Sequence, residues 1–266
     1  MRLLLTGDFG GVFPDKVFNA MRKEQFDFVL CMGDFGDIHY LRELFLTYGE
    51  KIMEHVTEEE CILVYEKGIQ KARDVFAKLN SFGRPVYLCS GNNEFKAYEL
   101  FVKTVAEYPN LYLIDNKMIK WRALTILGMR YPAPSPTEQK SGITIDKLKN
   151  MIKNTTSGYL REKAPSTLLL CHVPPFNCTL DKLPKNTRLN PGKHIGSKLV
   201  AELVQTYNPA LVVCGHLEEL QGECRFSRSR IINPGGAENG RYALMEIGKS
   251  IKDARLEFKQ VSIRNV

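Results

Sequence analysis

The 266 residues, of which 44% are hydrophobic and 25% charged, suffice for one α/β domain with a sizeable core and exclude an intrinsically disordered protein. No apolar run approaches the length of a membrane span, and a first strand predicted to begin at residue 2 leaves no space for a signal peptide. The net charge of +7 fits a phosphate-bearing substrate or nucleic acid, and equally an indifferent basic surface.

The 7 cysteines indicate a reducing compartment. Cys31, Cys89, Cys171 and Cys214 lie inside apolar runs, where a cysteine behaves as a small hydrophobic residue. The sequence contains no pair of cysteines separated by two residues. We therefore expect a cytoplasmic protein that is not bound to a membrane.

The predicted elements alternate between strand and helix, which favours a layered α/β fold. A first strand at residues 2–6 leads through a glycine-rich loop to a helix from Pro14, a residue that is tolerated in the first helical turn. A second strand at 28–32 precedes a mostly helical segment at about 38–82. We interpret this segment as an insertion that covers the sheet and offers a partner surface.

The second half of the chain continues the alternation. Its predicted elements are a strand at 86–89, a helix at 95–108, β runs at 111–114, 118–121 and 124–127, a helix from 145, a strand from 167, a helix at 195–207, a strand from 210, and β runs around 230–233, 242–247 and 256–261. A proline-rich loop from Arg130 to Pro136 is expected near the functional site. Because no solenoid repeat or low-complexity linker is visible, we predict a single domain over residues 1–266.

Five of the apolar runs end in side chains that bind divalent metals. The five ends are Gly7-Asp8, Gly33-Asp34, Gly91-Asn92-Asn93, Cys171-His172 and Gly215-His216-Leu217-Glu218. Ligands of α/β sheets bind beyond the carboxyl ends of the strands, and Asp, Asn and His supply oxygen and imidazole ligands. A single Asp after a strand is more often a helix N-cap. Five such ends together favour a metal site, with Glu218 on the same side of its segment as His216.

In order and spacing, these five blocks resemble the calcineurin-like metallophosphoesterases, and the turn Asn233-Pro234-Gly235 is similar to the one that follows the last block of that family. The resemblance spans residues 7 to about 236. It implies a four-layer α/β/β/α sandwich with a dinuclear metal centre that hydrolyses phosphate monoesters or diesters by means of a metal-bound hydroxide. The segment at 192–197 resembles a loop of the prokaryotic, small phosphodiesterase-like branch.

Three positions depart from the family pattern, because Gly10, Asn93 and Glu218 stand where the family has histidine. Carried over by position, the resemblance gives one metal the ligands Asp34, Asn92, His172 and His216, and the other the ligands Asp8, Asp34 and Glu218. We therefore expect one or two divalent ions from among Mn, Mg, Fe and Zn. The all-oxygen second set favours Mg²⁺ or Mn²⁺ over Zn²⁺ or Fe.

Asn93 and His194 are candidates for direct roles toward the substrate, beside Asn92. The resemblance places Asn93 at the position of the family histidine that protonates the leaving group or stabilises the transition state, and Asn93 is either a polar phosphate contact or a spectator. His194 is either an acid or phosphate donor near the site, or a solvated loop residue.

Two functions of different classes remain open. The first is a metal-dependent phosphoric ester hydrolase, acting on phosphodiesters of a small molecule or nucleotide. The second is a binding or scaffold protein that has kept the fold and lost the chemistry, as in the vacuolar-sorting retromer. Retention of a complete four-ligand set favours the enzyme. The basic run at 225–230 indicates either a nucleic-acid contact or a charged hairpin edge.

Overall fold

The computed structural model describes residues 1–131, 166–188, 190–248 and 254–262. The predicted helix from Ile145 and most of the predicted loop from Arg130 to Pro136 lie outside the described residues.

The first sheet joins the start of the chain to its end. Within the described residues it has six strands in the order β12-β11-β1-β2-β3-β4. Their bounds are β1 (Arg2–Thr6), β2 (Phe28–Cys31), β3 (Val86–Leu88), β4 (Leu111–Leu113), β11 (Arg241–Glu246) and β12 (Arg255–Gln260). The strands β1 to β4 are parallel, whereas β11 runs antiparallel to both β1 and β12. The carboxyl ends of β1, β2 and β3 therefore meet at one edge.

The second sheet also has six strands in the described part of the chain, in the order β5-β6-β7-β8-β10-β9. Their bounds are β5 (Met118–Trp121), β6 (Leu124–Gly128), β7 (Thr167–Leu170), β8 (Leu211–Val213), β9 (Gly222–Phe226) and β10 (Ser229–Asn233). The strands β6, β7, β8 and β10 are parallel, and β5 and β9 pair antiparallel at the two edges. The basic run at 225–230 lies in this β9–β10 hairpin.

The helices cover the outer faces of the two sheets. Those described are α1 (Asp15–Arg22), α2 (His39–Tyr48), α3 (Glu58–Lys71), α4 (Arg73–Asn80), α5 (Tyr98–Val105) and α6 (Lys198–Tyr207). On β1, Leu4 packs toward the core that contains α1, α4 and α5, whereas Leu3 and Leu5 pack into the core between the sheets. A third core joins α6 to the second sheet. Alternate strand residues thus serve different cores, and the predicted four-layer α/β/β/α sandwich is confirmed.

The predicted helical insertion contains α2, a 3₁₀ helix at Gly49–Glu54, α3 and α4. Helix α3 begins with a capping box, in which the Glu60 N–H donates to the Thr57 hydroxyl and the Thr57 N–H donates to the Glu60 carboxylate. Helix α2 begins beside Asp37, whose carboxylate accepts from the His39 N–H at 2.9 Å. Lys71, at the end of α3, forms an ion pair with the same carboxylate at 2.6 Å. Asp37 thus joins the insertion to the loop after β2.

Two helix starts differ from the prediction because local hydrogen bonds replace the first turn. The helix expected from Phe95 is preceded by a 3₁₀ helix at Asn92–Ala97. Helix α6, expected from Ile195, begins at Lys198, because the Ile195 N–H donates to the Asp181 carbonyl and Ser197 caps the helix by accepting from the Val200 N–H.

All seven cysteines lie in the described part of the chain, and all seven are free thiols. Among the helices described, none combines the length and the apolar character that a membrane crossing requires.

Candidate metal centre

The five predicted strand ends meet at one place. Asp8, Asp34 and Asn92 follow β1, β2 and β3 of the first sheet, whereas His172 and His216 follow β7 and β8 of the second. Hydrogen bonds link the two groups, since the His216 N–H donates to both carboxylate oxygens of Asp8, at 3.1 and 3.2 Å. The parallel strands of both sheets therefore deliver their side chains to a common site.

Three of these residues have a backbone conformation that L-amino acids avoid. The φ angles are 52° at Asp8, 54° at Asp34 and 70° at His216. A non-glycine residue in the left-handed region costs about 1 kcal/mol or more, and such strain concentrates at functional sites. The Phe9 and Gly10 N–H groups both donate to the Asp34 carbonyl and hold this conformation. Strain at three predicted ligands supports a functional role for this site.

Four ligand atoms face one another across the two sheets. The Asn92 Oδ1 lies 2.9 Å from both the His172 Nε2 and the His216 Nδ1. The His172 Nε2 lies 3.2 Å from the His216 Nδ1 and 3.3 Å from the Asp34 Oδ1. Two atoms that bind one ion at about 2.1 Å, at a right angle to each other, lie about 3 Å apart. This spacing is that of neighbouring ligands around a single cation.

Surrounding hydrogen bonds fix which atoms face the centre. The His172 Nδ1 donates to the Met32 carbonyl at 2.7 Å, so the Nε2 is left to face inward. The Asn92 amide donates to the Asn93 Oδ1 at 2.8 Å, which directs the Asn92 carbonyl oxygen inward. The His172 Nε2, the Asn92 Oδ1 and the Asp34 Oδ1 thus face one another with lone pairs, an arrangement that requires a cation or a proton between them. The four residues fit a divalent metal.

The pKa values of the two histidines show where that proton lies in the metal-free protein. Burial by itself lowers the pKa of His172, but the charge and hydrogen bond of Asp34, with the charge of Asp8, raise it to about 9. Burial and the charge of His172 lower the pKa of His216 to about 4. Burial alone raises the pKa of Asp34, yet His172 brings it below its ordinary value. The proton therefore resides on His172, where a metal ion would replace it.

Glu94 is a residue whose role the sequence reasoning missed. Its side chain is fully buried, and its carboxylate accepts from the N–H groups of Asp34, Phe35, Gly36 and Gly91 at 2.7–3.1 Å. Burial raises the pKa of Glu94 to about 7 despite these donors. Glu94 holds the loop after β2 against the loop after β3. The sequence feature that could have revealed this role is the position of Glu94 in the block Gly91-Asn92-Asn93-Glu94.

Asn93 is buried with all of its side-chain polar atoms engaged. Its Nδ2 donates to the Gly36 carbonyl at 2.8 Å, its Oδ1 accepts from Asn92, and its N–H donates to the Asp34 Oδ1 at 2.9 Å. These contacts orient two of the four ligand residues. A direct contact of Asn93 with phosphate stays a prediction.

His194 lies beside Asp181 rather than among the four inward-facing atoms. The His194 Nδ1 is 2.5 Å from the Asp181 Oδ1, and the fully buried Asp181 also accepts from the N–H groups of Asn177 and Gly196. The loop that carries this pair is held near His172, because the Ser197 N–H donates to the Pro174 carbonyl. The predicted substrate role of His194 remains untested.

The residues predicted for a second metal have other partners. Both oxygens of Glu218 accept hydrogen bonds, one from the Arg42 Nη1 at 3.1 Å and one from the Asn239 Nδ2 at 3.0 Å. The space beside Gly10, where the family histidine would stand, contains the carboxyl group of Glu238. Among the His, Cys, Asp and Glu side chains of the described residues, one group of three has ligand atoms that all lie within 4.8 Å of one another, and its members are Asp34, His172 and His216. The second ion therefore stays a prediction.

Several carboxyl groups lie close together around Glu218. Burial and a hydrogen bond with Glu218 raise the pKa of Glu238 to about 9. Burial also raises the pKa of Asp8 well above its ordinary value. Arg42 and Glu238 were not among the predicted site residues, since neither belongs to a strand end.

Comparison with known proteins agrees with this geometry. The sequence model of a family described as calcineurin-like phosphoesterase matches residues 1–217. One crystal structure aligns with a TM-score of 0.71 at 18% identity, covering 98% of this chain and 99% of that chain. The crystal structure of TT1561 of Thermus thermophilus aligns with a TM-score of 0.61 at 16% identity, covering 97% and 98%. No curated protein matches the sequence significantly. The chain belongs to the calcineurin-like phosphoesterase family.

Proposed function

We propose that the protein is a metal-dependent phosphoesterase that hydrolyses phosphodiesters of a small molecule or nucleotide. The observation that carries this proposal is the set of four facing atoms on Asp34, Asn92, His172 and His216, with four distances of 2.9–3.3 Å among them. Membership of a family of phosphoesterases supports the reaction class.

The four residues would hold one divalent cation. Such an ion binds phosphate oxygens and lowers the pKa of a water molecule, which supplies the nucleophile for hydrolysis. The protein orients the atoms that would bind the ion. The Met32 carbonyl orients the His172 ring, and Asn93 orients the Asn92 carbonyl oxygen. Second-layer contacts of this kind fix a ligand before the metal binds.

The leaving group sets the expected substrate range. Asn93 stands where the family has a histidine, and an amide does not donate a proton to a departing alkoxide at neutral pH. We expect faster hydrolysis of esters with acidic leaving groups, and of diesters over monoesters. Hydrolysis of alkyl phosphate monoesters at the same rate as phosphodiesters with acidic leaving groups would contradict this expectation.

The test measures metal content by elemental analysis and turnover of bis-p-nitrophenyl phosphate after addition of Mn²⁺, Mg²⁺, Fe²⁺ or Zn²⁺. His172→Ala should lose bound metal and at least about a hundredfold in kcat/KM. His55→Ala is the matched control, because His55 stacks on Tyr48 in the insertion and should leave both values unchanged.

A scaffold protein is the second candidate. It is favoured by the engagement of Asn93 and Glu218 with protein partners, because Asn93 then offers no proton to the leaving group. Wild-type protein that binds metal but turns over no faster than His172→Ala would support the scaffold and exclude the enzyme.

A further inference from the structure

The helical insertion brings a guanidinium group to the edge of the candidate metal centre. Asp37 fixes the start of α2 at His39, and Arg42 follows one turn later. The Arg42 Nη1 donates to the Glu218 Oε1 at 3.1 Å. Glu218 follows His216, one of the four ligand residues, by two positions, so the guanidinium lies beside the segment that carries that ligand. The Arg42 side chain remains 48% exposed and can contact a ligand from solvent.

The carboxylates near Arg42 are paired with donors of the protein. Both oxygens of Asp8 accept from the His216 N–H. The two oxygens of Glu218 accept from Arg42 and Asn239. At the four-residue centre, by contrast, the Asn92 Oδ1 faces two imidazole nitrogens at 2.9 Å. Carboxylate oxygens that already accept hydrogen bonds gain less from a second cation.

Electrostatic repulsion and the lack of space also disfavour a second metal ion near Glu218. Such an ion would have to share Glu218 with Arg42, and like charges a few ångströms apart repel each other. The imidazole that the family places at residue 10 is missing, and Glu238 occupies the space beside Gly10. Within the described residues, the position of a second ion therefore lacks the imidazole ligands that the family places there.

We propose that Arg42 takes the place of the second metal ion: the protein holds one divalent cation, and the Arg42 guanidinium provides the second positive charge that binds a phosphate oxygen. A guanidinium has five N–H donors in a planar fork that matches phosphate, and Glu218 accepts from one of them. Glu218 thereby positions the fork beside the metal site. The phosphate role rests on the proposed function, whereas the count of one ion per chain does not.

The experiment uses the full chain with Mn²⁺ and inorganic phosphate. Wild-type protein should bind one Mn²⁺ per chain in a calorimetric titration and in elemental analysis. Arg42→Met should also bind one ion, but its affinity for inorganic phosphate in the presence of Mn²⁺ should fall about tenfold or more. Arg42→Lys, which keeps the charge, should recover part of that loss.

Arg188→Met is the matched control, since Arg188 pairs with Glu43, the neighbour of Arg42 on α2, and is 62% exposed. It should leave phosphate affinity unchanged. Arg42→Gln is a second uncharged variant, in case Arg42→Met fails to fold as judged by its thermal unfolding midpoint.

The outcomes separate this inference from the proposed function. Two Mn²⁺ ions per wild-type chain, or equal phosphate affinity in Arg42→Met, Arg42→Gln and wild type, would overturn the role of Arg42 even if the protein hydrolyses esters. Wild-type protein that binds one ion but no phosphate would overturn it as well. One ion and Arg42-dependent phosphate binding without hydrolysis would uphold it and reject the enzyme.

Discussion

His172 connects proton binding and metal binding in one side chain. Its Nδ1 is committed to the Met32 carbonyl, so the inward Nε2 carries either a proton or a metal ion. In the metal-free protein the pKa of His172 is about 9, above that of an ordinary histidine. The raised pKa stabilises the metal-free fold below about pH 6.5, and this contribution is lost as the pH rises through about 9.

Metal affinity should therefore increase with pH. A metal-bound histidine must be neutral at the ligating nitrogen, so each ion displaces the His172 proton at neutral pH. Between about pH 6.5 and 9, we expect the Mn²⁺ affinity to rise up to about tenfold per pH unit, and then to level off. Calorimetry in buffers of different ionisation enthalpy should detect the proton release. An affinity that stays constant between about pH 7 and 8 would contradict this prediction.

Asp34 combines a ligand role with a strained backbone. Its φ of 54° is better tolerated by Asn than by Ala, because Asn occupies the left-handed region more readily. Metal-free Asp34→Asn should be more stable than Asp34→Ala by about 1 kcal/mol, while both lose metal affinity. Urea unfolding in the presence of a chelator measures the difference. Equal stability of the two variants would show that the backbone conformation relaxes in the mutants.

At the scale of elements, Glu94 joins two loops that are far apart in sequence. Its carboxylate accepts from N–H groups after β2 and before the 3₁₀ helix after β3. Glu94→Gln would turn an amide NH₂ group toward N–H donors, so we expect a loss of about 2–3 kcal/mol in the free energy of unfolding and weaker metal binding. Glu99→Gln, on the exposed start of α5, is the control and should change neither value. Unaltered metal affinity in Glu94→Gln would reject the positioning role.

The strands and their ends were predictable because each depends on a short stretch of sequence. The runs before Asp8, Asp34 and His172 are apolar and end at glycine or at the ligand itself, so the meeting of their ends follows from parallel pairing. The contacts of Glu94 and Arg42 depend on partners 60 and 176 residues away. The block that contains Glu94 marks its position, but no local pattern specifies these distant partners, so the contacts were missed.

At the scale of the whole molecule, the family match ends before the fold does. Residues 1–217 match the family model, yet β1 pairs with β11 and β8 pairs with β10, both beyond residue 217. A chain that ends at residue 217 would leave β1 and β8 unpaired on one side and expose the core between the sheets. We expect it to lack a cooperative thermal transition, whereas a chain that ends at residue 262 should retain one. Circular dichroism during heating tests both, and cooperative unfolding of the shorter chain would contradict the expectation.

The candidate ligands are divided evenly between the sheets, with Asp34 and Asn92 on the first and His172 and His216 on the second. An ion held by all four would cross-link the two layers at one end of their interface, much as a disulfide links two segments of chain. Removal of the ion should then increase amide hydrogen exchange first at the ends of β2 and β7, while the opposite ends of these strands keep their protection. Metal supply would thus control how rigidly one half of the molecule is held to the other.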